Sequence, residues 1–154
     1  MTIAELCAAH ERIGLDSNLL IYVTEDTVDH LAKASAVLDA VAAGDIQGVL
    51  SVIGLAEVLM GPSLREELAV VEQIAAEIRA TPNLRVVPVT PEIAVDAAVV
   101  GALRAVKLPD AIHLATARAA RATAFVTNDR RLRTAPRLEV IYLDDIELGD
   151  GPAA

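Results

Sequence analysis

Four carboxylates occupy comparable places in the 154-residue sequence. Asp16 directly follows the short apolar run Ile13–Leu15. Glu57 interrupts the apolar string Val52–Met60. Asp110 comes one residue after Pro109 at the opening of a helical stretch, and Asp129 follows the run Ala122–Val126 through Thr127 and Asn128. Taken singly, Asp16 reads as a helix cap and Asp110 as an acid favouring a helix N-terminus. Glu57 resists such a reading, because a carboxylate on an otherwise apolar segment needs a partner or a cation. Four acids gathered in one cleft would repel each other and raise each other's pKa. A hard divalent cation removes that penalty, and a donor set of oxygen alone selects Mg²⁺ or Mn²⁺. Such an ion polarises phosphate and activates water.

The elements around these residues alternate. Short apolar strands are expected at Ile13–Leu15, Val49–Val52, Arg85–Val89, Ala122–Val126 and Glu139–Leu143. Helices are expected at Ser17–Tyr22, His30–Ala43 (stopped by Gly44), Ile53–Met60 (stopped by Gly61-Pro62), Leu64–Ala80, Pro91–Val106 and Pro109–Ala120. Residues 2–11 are weakly helical. Strands separated by helices predict an α/β fold, a central parallel sheet of four to five short strands with helices on both faces. In such sheets ligands bind beyond the carboxyl ends of the strands, which is where the four acids fall.

Other groups have two readings each. His113, three residues after Asp110, shares its helix face. It is either a base or metal ligand, or a packed residue with a local hydrogen bond. Arg118 and Arg121 either ease a helix C-terminus or meet a polyanion. A covalent nucleophile is not evident, since Cys7 lies near the N-terminus and no Ser sits in a Gly-x-Ser-x-Gly turn. A phosphoacceptor receiver would need a lysine after a late strand, and neither Lys33 nor Lys107 follows one. A haloacid-type phosphatase would need Asp-x-Asp after the first strand, where Asn18 stands instead.

The strings LDSNLL (15–20), SVIGLAEVL (51–59), LPDAIHLATA (108–117) and VTNDRRL (126–132) resemble, in order and spacing, the four motifs of the PIN-domain family. They most resemble its small bacterial branch, the VapC-type toxins of toxin–antitoxin pairs. The resemblance spans roughly residues 13–143. It implies a three-layer α/β/α fold and a Mg²⁺-dependent endoribonuclease, Mn²⁺ being an alternative ion. The family's acidic positions fall on Asp16, Glu57, Asp110 and Asp129. Asp16, Glu57 and Asp110 would hold one ion, while Asp129 would hold a second or position the attacking water. Hydroxyl or amide positions near the metal fall on Asn18 and Thr127. Arg130, Arg131 and Arg133 would meet the RNA backbone. The resemblance also implies a cognate antitoxin and a homodimer, to which the apolar surface around Ile53–Leu64 lends a separate hint. Domain bounds are expected at 1–12 (an N-terminal extension), 13–148 (the PIN domain) and 149–154 (a tail). Competing readings are a non-catalytic PIN-like protein-binding module and a DNA-directed PIN-like nuclease.

Composition narrows the classes further. The chain is 54% hydrophobic and 23% charged, which fits a folded domain and not a disordered one. Aromatics make up 2% and Trp is absent, which argues against a base-stacking module. One cysteine excludes an internal disulfide and a cysteine-based zinc cluster. No basic signal segment or membrane-length apolar run is evident, so a soluble cytoplasmic protein is expected. Net charge is −9, unevenly spread: residues 1–77 hold 13 acids and 3 bases, residues 78–154 hold 9 acids and 10 bases. The acidic half departs from nuclease habit. It suits either solubility or a basic partner segment that lies across it and places an Arg on the site carboxylates.

Overall fold

A computed structural model of the chain describes residues 1–133 and 135–149. Helix α1 (Ile3–Ala9) is followed by β1 (Arg12–Leu15), α2 (Ser17–Thr24), α3 (Leu31–Ala43), β2 (Gln47–Ser51), α4 (Val52–Leu64) and α5 (Leu68–Ala80). Then come β3 (Leu84–Val87), α6 (Pro91–Arg104), α7 (Leu108–Ala119), β4 (Ala124–Thr127) and β5 (Glu139–Tyr142), with a 3₁₀ turn at Leu143–Asp145. The five strands form one sheet in the order β3-β2-β1-β4-β5. Every pairing is parallel, with Gly14 opposite both Val49 and Phe125. The expected α/β sheet is therefore present with five strands.

Alternation along the strands sorts the core onto two faces. On one face Ile13, Leu15 and Leu50 join Leu19, Val37, Val41 and Ile74 from the first helices. On the other, Val49 and Val87 pack with Ile93, Ala97, Ala111 and Ala115 of α6 and α7. The second face demands small residues. A Cβ at Gly14 would come within 2.6 Å of Ala117 Cβ and 2.7 Å of the Phe125 ring, so glycine lets α7 lie close on the sheet. That closeness sets α7 against β1 and β4, with Asp110 in its first turn.

Two helix expectations are corrected. α4 does not stop at Gly61-Pro62 but runs to Leu64 with Pro62 inside it. Pro62 is buried, and Ser63 Oγ donates to the Leu59 carbonyl at 2.6 Å, so packing and a side-chain donor carry the helix past a residue that breaks exposed ones. The helix expected over Leu64–Ala80 begins only at Leu68, because Glu66 takes a left-handed φ of 58° between α4 and α5. The remaining bounds shift by at most two residues.

Residues 1–12 hold α1, whose N-terminus is closed by a Thr2–Glu5 capping box and whose Leu6 is fully buried in the first core face. Thr2 also pairs in parallel with Glu147. The tail read at 149–154 lies outside the described residues save for Gly149. Among the described residues no helix is long and apolar enough to cross a membrane.

Candidate active site

The strand order turns at β1. The chain builds outward through β2 and β3 on one side, then returns to β4 and β5 on the other. Asp16 follows β1, while Thr127 and Asp129 end and follow β4, so they flank the point where the sheet reverses direction. Crevices at such points receive ligands in open parallel sheets.

Asp16 is buried to 9% exposure and occupies the N-cap position of α2, yet its side chain makes no capping bond. Instead Thr127 Oγ1 donates to Asp16 Oδ2 at 2.5 Å, and Asn18 Nδ2 donates to the same oxygen at 3.2 Å. Thr127 is fully buried, and its hydroxyl also accepts from the Asp129 amide at 3.0 Å. The two supporting positions expected from the sequence thus hold Asp16 directly. The cap reading of Asp16 gives way, because its carboxylate is turned to β4.

Glu57 projects from α4 and is tied to α7: its Oε1 lies 2.5 Å from His113 Nε2. That bond holds the Glu57 pKa below the usual carboxylate range despite partial burial, with a smaller contribution from the Ser17 hydroxyl. His113 is almost fully buried. Burial disfavours its imidazolium, but the bond to Glu57 and the charges of Asp16, Glu57 and Asp110 outweigh that and raise its pKa. Asp129 is chelated by Arg131, whose Nε and Nη2 lie 2.9 Å and 2.7 Å from its two oxygens, and its pKa is lowered accordingly.

Asp110 is different. It is half-buried, and among the described residues no hydrogen bond or ion pair reaches its carboxylate. Its pKa is raised, first by desolvation and then by the charge of Asp16, with smaller contributions from Asp129 and Glu57 and a partial offset from His113. The three other acids therefore act on this one electrostatically. Among the described residues no three acidic, histidine or cysteine side chains already form a cage for an ion. Three of the acids have partners within the chain: Thr127 holds Asp16, His113 holds Glu57 and Arg131 holds Asp129. The donor chemistry nevertheless fits a hard cation, since the carboxylates offer oxygen alone and no hydrogen bond or ion pair reaches Asp110 among the described residues.

The arginines expected to meet a polyanion divide. Arg130 binds Asp145 through both terminal nitrogens, at 3.0 Å and 2.6 Å, and its guanidinium lies 4.2 Å above the centre of the Tyr142 ring. Arg131 is engaged by Asp129, and Arg133 is exposed. Arg118 pairs with Asp96. Arg104, Arg118, Arg121 and Arg137 line a groove of about 810 Å³ beside α6 and α7, which the four site acids do not line. Sequence reasoning missed Glu57 as the partner of His113, and it gave no weight to Ser17. The one available signal was the spacing of His113, one turn after Asp110.

Comparison with known proteins agrees with the fold. The PIN domain family model matches residues 13–138. No curated protein matches the chain. Among solved structures, a toxin–antitoxin complex from Klebsiella pneumoniae is 23% identical with a TM-score of 0.61, covering 82% of this chain and 94% of that one. VapBC2 from Rickettsia felis, bound to a promoter DNA fragment, is 19% identical with a TM-score of 0.63, covering 85% and 98%. FitAcB from Neisseria gonorrhoeae is 18% identical with a TM-score of 0.64, covering 87% and 99%. At these identities the likeness is one of fold.

Proposed function

Since the chain belongs to the PIN domain family, we propose that it is a Mg²⁺-dependent endoribonuclease and the toxin of a VapC-type toxin–antitoxin pair. The observation that supports this most is Asp110, a half-buried carboxylate with no partner among the described residues and with three further acids acting on it. A carboxylate crowded by other acids is stabilised when a cation joins it.

Asp16, Glu57, Asp110 and Asp129 would hold Mg²⁺ or Mn²⁺, which when bound neutralises phosphate charge and lowers the pKa of water. The chain's own residues prepare the place. Thr127 and Asn18 fix Asp16 through Oδ2, and Ser17 Oγ reaches its Oδ1 at 3.4 Å. Arg131 holds Asp129 while leaving its own exposed guanidinium beside the site to meet an RNA phosphate. Hydrolysis by in-line attack leaves a 5′-phosphate and a 3′-hydroxyl.

The partners follow from surface and charge. Val52, Met60 and Leu64 of α4 and Leu68 of α5 are 37–77% exposed, an apolar strip that a second copy would cover. Light scattering of the purified chain should give the mass of a dimer. The acidic residues 1–77 suit a basic antitoxin segment, so toxin–antitoxin association should slow as salt rises. The decisive test is cleavage of single-stranded RNA with Mg²⁺, with EDTA, and by Asp16→Asn. Cleavage by the wild type with Mg²⁺ alone supports the reading. Mn²⁺ binding with no cleavage of any nucleic acid would replace it by a non-catalytic protein-binding module, and preference for DNA would replace it by a DNA-directed nuclease.

A further inference from the structure

His113 sits in a slot made for it. Its ring is 2% exposed, and Nε2 has Glu57 Oε1 at 2.5 Å as its partner. Nδ1 is buried and has no hydrogen-bond partner among the described residues. On one side the slot is opened by Gly54, three residues before Glu57 on α4. A Cβ there would come 3.2 Å from His113 Cε1 and 2.6 Å from Leu50 Cδ1. On the other side lies the Phe125 ring, its centre 6.5 Å from that of His113. Both features cost stability. A glycine inside a helix is about 1 kcal/mol worse than alanine, and a buried nitrogen without a partner costs roughly 1–3 kcal/mol. An aliphatic side chain at 113 would avoid the unpartnered nitrogen, while Gly54 also makes room for Leu50. What the arrangement yields in exchange is one polar contact, the bond to Glu57.

We propose that His113, seated by Gly54, is a positioning residue that clamps one oxygen of Glu57 and so presents the carboxylate's remaining acceptor sites to the divalent cation. The inference rests on the metal-dependent nuclease reading above. The bond needs an N–H on Nε2, which the neutral ring provides in the tautomer that leaves Nδ1 bare, so the role does not depend on a charged ring. One helix, α7, then contributes a carboxylate at Asp110 and, one turn later, the group that aims a second carboxylate from α4. Outer contacts of this kind fix ligand orientation, and losing them typically costs about 10–100-fold in metal affinity or activity.

The test compares His113→Gln, His113→Asn and His113→Ala by Mn²⁺ titration, steady-state RNA cleavage and thermal melting. The glutamine amide nitrogen reaches the place of Nε2, whereas the asparagine amide reaches only that of Nδ1, and the two bury similar groups. The expected result is Mn²⁺ affinity and kcat near wild type for the Gln variant. The Asn and Ala variants should bind Mn²⁺ about 10–100-fold more weakly and lose kcat, with KM for RNA unchanged. A merely structural role would move Gln and Asn together. If Ala does not fold, the Gln–Asn pair decides alone. Equal Mn²⁺ affinity for Gln and Asn, in a wild type that binds Mn²⁺ and cleaves RNA, overturns the inference and leaves the nuclease reading intact. A wild type that does neither overturns both.

Discussion

The two ends of the sheet each hold a buried histidine, and the contrast between them separates stability from function. At the amino ends of the strands, His10 pairs through Nδ1 with the Thr123 hydroxyl at 2.9 Å, and its Nε2 lies 3.2 Å from Glu139 Oε2. Arg12 beside it donates to Gln47 and to the Ala120 carbonyl at 2.7 Å. One carboxylate, Glu139, lies against a histidine and an arginine side chain finds neutral acceptors there. At the carboxyl ends His113 also pairs with an acid, and there the charges of three carboxylates act on a fourth, Asp110, which has no hydrogen-bond partner among the described residues. Under the proposed function, the carboxyl end is the one where a cation would offset like charge, and the amino end has no such role.

Removing a carboxylate should break that contrast most sharply. Asp16→Asn and Asp110→Asn are each expected to lower RNA cleavage by two orders of magnitude or more, read as initial rates on a single-stranded substrate, since each would remove a charged ligand. Next comes the matched pair of truncations. His10→Ala should cost roughly 1–2 kcal/mol of stability in denaturant unfolding, with cleavage unchanged. His113→Ala should also lower kcat and Mn²⁺ affinity. Equal catalytic losses from both would erase the distinction between the ends.

A smaller effect, and one of opposite sign, concerns stability without metal. Folding raises the proton affinity of Asp110, so its ionisation costs stability as pH rises through that raised pKa. Asp110→Asn has no such charge, and the metal-free variant should melt a few degrees above the metal-free wild type at neutral pH. A lower melting temperature would show that Asp110 is already satisfied. Smallest of all is Arg131→Ala. The pair it breaks is largely exposed, so stability should shift by less than about 1 kcal/mol. Mn²⁺ should bind a few-fold tighter once Asp129 is released, and KM for RNA should rise a few-fold.

Much of this molecule is legible from its residues. Asp16 and Asp129 stand out because each follows a short apolar strand, Glu57 because it breaks an apolar helix, and Asp110 because it opens a helix directly after Pro109. Helix α4 past Pro62 is not legible, because burial of the proline and the donor from Ser63 are tertiary facts that override local propensity. The partners of the carboxylates are equally hidden. Thr127 meets Asp16 across 111 positions and His113 meets Glu57 across 56, so no local pattern announces either bond. The slot at Gly54 could be read only after the ring it admits was in place.

The central claim is that the carboxyl end of the sheet is completed by a divalent cation, and thermal melting of the metal-free chain under added Mn²⁺ tests it most directly. A ligand that binds the native state raises its melting temperature as its concentration passes the dissociation constant. The account predicts a saturable rise for the wild type and for His10→Ala, a rise displaced to higher Mn²⁺ for His113→Asn, and none for Asp110→Asn. A wild-type melting temperature that ignores Mn²⁺, or an Asp110→Asn variant that responds as the wild type does, would contradict it.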